Sequence, residues 1–237
     1  MMENTDLKKL TQAISCVIFD CDGVLVDSEI LASQASLRML EPYGISMTPQ
    51  EYAHLYAGKK EEDIIASVQK DFNINLPDDF LSKVRLEIEH SLDHDLQAIA
   101  GVVETISPLP VTKAVVSNSR LVRVISSLKV AGLTELFGKK LFAAEMVERP
   151  KPAPDVYLHA ASELGVKPSE CLVVEDSQSG VTAAHSAGMH VIGFLGASHI
   201  PDGHENTVRD VGAFTVASSM EELAQIFAEV FDEYSIK

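Results

Sequence analysis

The chain has 237 residues, 46% of them hydrophobic and 23% charged, which is the composition of a globular protein long enough to bury a full core. Lys and Arg number 19 against 35 Asp and Glu, and the resulting net charge of -16 repels nucleic-acid backbones and anionic membranes. An anionic small-molecule ligand would therefore need a local positive site.

No apolar run reaches the ~20 residues that a bilayer span requires, and residues 1–12 lack the apolar stretch of a signal peptide. Cys16, Cys21 and Cys171 lie in or beside apolar runs without metal-ligand spacing. They read as reduced structural thiols, so a cytoplasmic location is expected. The first apolar run, residues 15–20, ends in Asp20. Residues 28–95 then show helical periodicity and no convincing strand. Thr48, Pro49 and Glu51 fit a capping box with proline at the first helical position. Leu81, Val84, Ile88 and Leu92 form an apolar stripe, so the segment reads as a small helical bundle inserted after the first strand. A second run ends in Ser117 and Asn118. A helix follows through Leu121, Ile125 and Leu128, with Gly132 as its stop. After a weaker run at 140–143, Pro154 opens a helix carrying Tyr157, Ala161 and Leu164, closed by Gly165. The third strong run ends in Glu175 and Asp176, a weaker one covers 190–195, and residues 197–212 read as a surface loop. Unbroken apolar runs alternating with helices predict an α/β fold with a parallel sheet. Ligands in such sheets bind beyond the carboxyl ends of the strands, where all these polar residues fall.

Asp20 and Asp22 flank one residue after the first strand, and Gly23 turns the chain. Alone, the pair also fits an acidic strand-to-loop cap. The other strand ends add Ser117 and Asn118, Lys151 between Pro150 and Pro152, and the Glu175–Asp176 pair. Acids gathered at one sheet edge repel each other. A divalent cation removes that penalty, and hard oxygen donors suit Mg2+.

These four segments, in this order, resemble the four motifs of haloacid dehalogenase-like hydrolases, and the likeness covers essentially the whole chain. The resemblance implies a Rossmann-like parallel sheet core (residues 1–27 and 96–237) with an inserted helical cap (28–95), placed as in the β-phosphoglucomutase-like and phosphatase branch. It implies that Asp20 attacks phosphorus, that Asp22 is general acid and base, and that Ser117, Asn118 and Lys151 hold the phosphoryl oxygens. It also implies that Mg2+ is held by Asp20, the Asp22 carbonyl, Asp176 and Glu175, the last binding or orienting the site. The expected activity is hydrolysis of a small phosphorylated metabolite, a sugar or sugar-acid phosphate such as 6-phosphogluconate. The family's dehalogenases generally lack the second aspartate, and its mutases commonly carry histidine where this chain has Ala32, so phosphatase is favoured over phosphohexomutase. A phospho-receiver module, which lacks a large insert, fits less well. Gly58, Lys59 and Lys60 match a cap specificity loop, although a solvated loop accounts for them equally. Arg149, and the pair His90 and His94, read as surface residues, and Asp27 as structural at the hinge into the cap.

Overall fold

A computed structural model describes residues 14–56, 59, 61–231 and 234. Among them, six parallel strands form one sheet: β1 (Cys16–Phe19), β2 (Thr112–Ser117), β3 (Leu141–Ala143), β4 (Cys171–Glu175), β5 (His190–Phe194) and β6 (Thr215–Ala217). Their order is β3-β2-β1-β4-β5-β6, so the chain reverses direction across the sheet at β1, the switch point where such folds bind ligands. Phe19 is in register with both Val115 and Val174. The chain therefore leaves β1, β2 and β4 along one edge, which brings Asp20, Ser117 and Glu175 close together.

Both sheet faces are covered, which is why β1 and β4 are buried at every residue. Val17 and Phe19 point into one core, where the Phe19 ring meets Phe137 at 5.9 Å and Phe227 at 6.4 Å, both edge-on. Cys16 and Ile18 point into the other, against Val156, Tyr157 and Val181. Burying a side chain such as Phe19 is worth about 1.5–3 kcal/mol, so the strand that carries Asp20 is anchored from both sides. All three cysteines are free and buried, as structural thiols should be.

Among the described residues, four α-helices lie in the segment 28–95 after β1: α1 (Ser28–Leu40), α2 (Pro49–Tyr56), α3 (Glu61–Phe72) and α4 (Phe80–His94). They enclose a core of their own built from Leu40, Ile45, Tyr52, Tyr56, Phe80 and Val84. The expected capping box opens α2: Glu51 Oε2 accepts from Thr48 N at 2.7 Å, and Thr48 Oγ1 accepts from Glu51 N at 3.2 Å. The chain enters and leaves this segment through adjacent backbone, with an antiparallel bridge between Val26 and Ala98 and a 3.0 Å bond from Ile99 N to Leu25 O. Ser198 N donates to Asp27 Oδ2 at 3.3 Å, tying that junction to the loop after β5.

The remaining helices are α5 (Val102–Ile106), α6 (Leu121–Val130), α7 (Thr134–Phe137), α8 (Asp155–Leu164), α9 (Gln178–Ser186), α10 (His204–Asp210) and α11 (Met220–Val230). The surface-loop expectation for 197–212 needs correcting, because α10 forms inside it. Gly203 opens that helix in the left-handed region, Val208 is its single buried apolar residue, and Glu205 and Arg209 pair at 2.8 Å one turn apart. With only Val208 to mark a periodic stripe, the polar composition hid the helix. Strand β6 also escaped notice, being three residues at the sheet edge of which Ala217 alone is buried. Among the described residues, no helix is long and apolar enough to cross a membrane.

Candidate active site

Lys151 is the centre of the site. Its ammonium donates to Asp20 Oδ1 at 2.6 Å, to Glu175 Oε1 at 2.6 Å and to Val116 O at 3.0 Å, and its side chain is 2% exposed. Burial works against this charge, but the Asp20 and Glu175 carboxylates outweigh it and hold the amine well above the ordinary lysine range. Asn118 fixes the Lys151 backbone from both sides: its Oδ1 accepts from Lys151 N at 3.0 Å and its Nδ2 donates to Lys151 O at 3.2 Å. Both ends of the Asn118 amide are thereby committed to placing Lys151. Ser117 Oγ accepts from Ser119 N at 3.0 Å at the same strand end.

Glu175 is fully buried and takes four donors. Lys151 Nζ and the Tyr157 hydroxyl (2.9 Å) reach Oε1, while Ser177 N (3.2 Å) and Ser177 Oγ (3.1 Å) reach Oε2. This carboxylate is a fixed post for Lys151. Tyr157 was read from sequence only as a core residue of α8, since apolar periodicity reports its ring and says nothing of its hydroxyl.

Asp22 stands apart from this cluster. Ser28 donates to its Oδ1 at 2.7 Å and Ser119 to its Oδ2 at 2.9 Å. The turn that presents it needs Gly23, whose φ of +80° is in the left-handed region and whose Cβ would fall 2.0 Å from Asp176 Oδ2. Asp176 in turn meets His199 Nε2 at 3.3 Å, and its backbone oxygen lies 2.6 Å from His204 Nε2. Burial raises the Asp176 carboxyl, and the His199 contact opposes this. Burial likewise works against His199 as a cation, but Asp176 more than compensates and raises it. Burial also raises the Asp20 carboxyl well above the usual range, with Lys151 opposing and Glu175, Asp176 and Asp22 adding to the rise.

The carboxylates of Asp20, Glu175 and Asp176 offer oxygens that all lie within 4.8 Å of one another, and all three residues are buried. One lysine cannot balance three acids. A hard divalent cation fits both the donor chemistry and the charge deficit. Gly180 keeps room for this arrangement, since a Cβ there would sit 1.7 Å from Glu175 Oε1, an atom its donors prevent from moving aside. Gly180→Ala is expected to lower the melting temperature by the equivalent of about 1–3 kcal/mol, an overpacking cost. It should also depress turnover by moving Glu175, and thermal melts alongside rate measurements read both.

A cavity of about 480 Å³ opens over these groups. Asp20, Asp22, Lys151 and Asp176 line it from the core, and Ala32 and Leu92 from the helical insert. Lys59 is elsewhere. It lines a neighbouring cavity of about 290 Å³ within the insert, donates to Ser67 Oγ at 3.0 Å and lies 5.2 Å from the Tyr56 ring centroid. Gly58 and Lys60 lie outside the described residues. Arg149 makes a two-pronged pair with Asp155 (3.0 and 2.8 Å), and the His90 and His94 rings stack at 4.3 Å on exposed positions. Arg123, which sequence reasoning did not single out, lines the 480 Å³ cavity.

Residues 17–194 match the model of the haloacid dehalogenase-like hydrolase family. The chain belongs to this family. It is 33% identical to the 6-phosphogluconate phosphatase of Escherichia coli (strain K12) over 187 residues, covering 78% of this chain and 85% of that protein. It is also 33% identical to hexitol phosphatase A of the same organism over 194 residues, or 74% of this chain and 80% of that one. A family hydrolase from Deinococcus radiodurans R1, solved with bound phosphate and sodium, superposes with a TM-score of 0.86 at 33% identity, covering 95% of this chain and 99% of the other. These relatives support assignment of the family member as a phosphoric monoester hydrolase.

Proposed function

We propose that this protein is a Mg2+-dependent phosphatase that hydrolyses a small phosphorylated metabolite, a sugar or sugar-acid phosphate, through a phosphorylated Asp20. The observation that carries the reading is the joint placement of Asp20, Asp22 and Lys151 with the acidic cluster in the wall of one cavity. The relatives' activities on 6-phosphogluconate and on a hexitol phosphate support the substrate class.

In this mechanism the Asp20 carboxylate forms a bond to phosphorus while the ester oxygen leaves and takes a proton from Asp22. Asp22, now ionised, removes a proton from water, which attacks the aspartyl phosphate and regenerates Asp20. The two hydroxyls that hold the Asp22 carboxylate set its orientation for both transfers. Lys151 neutralises charge beside the nucleophile, with Ser117 as a further donor to the phosphoryl oxygens. Asp20, Asp176 and the Asp22 carbonyl would hold Mg2+, with the buried Glu175 orienting Lys151 beside them. When bound, the ion supplies charge neutralisation for the phosphoryl group. Residues 28–95 act as a cap that closes over the cavity and excludes bulk water. Hydrolysis is favoured over phosphosugar isomerisation because Ala32 puts only a methyl group into the cavity wall where the family's mutases commonly carry a histidine.

The test is phosphate release from a panel of sugar phosphates and sugar-acid phosphates. EDTA should abolish it and Mg2+ restore it, with Ca2+ a poor substitute because it accepts longer, irregular coordination. Full activity after metal removal, or isomerised sugar without free phosphate, would overturn the proposal.

A further inference from the structure

We propose that Arg123 determines the specificity of this site by binding a carboxylate at the end of the substrate remote from the phosphate. The inference deepens the phosphatase reading and rests on it. Of the described residues in the cavity wall, Lys151 and Arg123 are the permanent cations. Lys151 is committed to Asp20, Glu175 and Val116 O. Arg123 is not. Its Nη2 donates to Asp93 Oδ1 at 2.8 Å, while its Nε is buried without a hydrogen-bond partner. Nε is closed to a ligand, so what the guanidinium offers to the cavity are the N–H groups that Asp93 does not take, and the site discriminates for ligands that carry an acceptor for them.

The position and shape of Arg123 indicate which acceptor. Asp93 lies on α4 of the helical insert and also accepts from Ser126 Oγ at 3.1 Å, so the guanidinium is steadied at the seam between insert and core. Lys151, not Arg123, stands against the nucleophile, which leaves Arg123 facing a part of the ligand other than the transferring phosphoryl group. A guanidinium fork pairs with a planar carboxylate through two parallel bonds, which a hydroxyl cannot reproduce. In a chain of net charge -16, with acids dominating the site, a second anionic group would otherwise be rejected. The ligand class is therefore a sugar acid or other carbon-chain acid phosphorylated at its far end.

The experiment compares kcat/KM for 6-phosphogluconate and glucose 6-phosphate, which differ at the end remote from the phosphate, with Mg2+ present. Arg123→Met keeps the apolar stem and removes the charge. It should reduce the preference for 6-phosphogluconate by about 10- to 100-fold, the worth of one charge-assisted contact. Arg123→Lys, which keeps charge without the fork, should fall between, and it carries the comparison if the methionine variant does not fold. An unchanged ratio in Arg123→Met overturns the assignment while continued phosphate release leaves the phosphatase reading standing. A ratio that collapses in Lys59→Ala and not in Arg123→Met also overturns it. Should the unaltered enzyme release phosphate from neither compound, the phosphatase reading is decided on the wider panel of sugar phosphates. Arg123 is then judged by binding: a thermal shift of Asp20→Asn by 6-phosphogluconate that disappears on adding Arg123→Met upholds it, and one that persists overturns it.

Discussion

Asp20→Asn is expected to lose at least about 1,000-fold in kcat, because the step it blocks is bond formation to phosphorus and no neighbouring group can take it over. The amide keeps the size of the side chain and can still accept from Lys151, whose ammonium retains Glu175 as a partner. The charge removed is one that the fold tolerates at a cost. Burial raises this carboxyl, and Glu175, Asp176 and Asp22 raise it further. A carboxyl raised in the folded state destabilises the fold as pH climbs from its unfolded to its folded value, so at neutral pH a neutral isostere relieves the penalty. The variant should therefore melt at or above the wild-type temperature while being inactive. Acid-quenched wild-type enzyme should carry phosphate on the peptide containing residue 20, and the variant should not. Turnover above a few per cent of wild type, or the phosphate on another peptide, would sink Asp20 as nucleophile.

The part of this site that was legible in the sequence is the part written locally. Each of β1, β2 and β4 is an apolar run that stops at a polar residue, so Asp20, Ser117 and Glu175 could be placed at strand ends before their register was known. The capping box at Thr48 is a three-residue signal and formed as read. What stayed hidden depends on packing between distant elements. Tyr157 reaches Glu175 only because α8 packs on the sheet face beneath β2 and β3, beside the end of β4. Arg123 sits beside Val124 on a helix whose apolar face is plain, yet its partner Asp93 is 30 residues earlier in the chain. His199 and His204 come to Asp176 from a segment whose composition suggested only a loop. Lys59 shows the reverse case, a motif-like residue that the fold turns into a cavity of the insert instead of the catalytic one.

Lys151→Met should produce the largest combined loss of stability and activity. The ammonium is the shared partner of two buried carboxylates at 2.6 Å each, and Tyr157 and Ser177 cannot replace its charge. Removing one member of a buried ionic cluster commonly costs about 3–5 kcal/mol, because the remaining charges are left without compensation. In a chain of 237 residues each kcal/mol corresponds to roughly 2–4 °C, so a fall of about 6–20 °C is expected. The sign of its pH dependence follows from the carboxylates. Without the lysine, Asp20 loses the one contact that opposes its raised value, so it binds its proton more tightly in the folded state than in the unfolded chain. The deficit against wild type is then smallest in acid, where that carboxyl is neutral in both states, and it grows as pH rises. Mg2+ should restore part of the melting temperature by supplying positive charge to the cluster, but little of the rate. Loss of a preorganised cation beside the nucleophile is worth about 100- to 1,000-fold in kcat. Melting curves from pH 5 to pH 8, with and without Mg2+, read the first effect, and phosphate release reads the second. A deficit independent of pH would mean that Lys151 stabilises the fold through packing alone, and near-normal turnover would remove it from the catalytic centre.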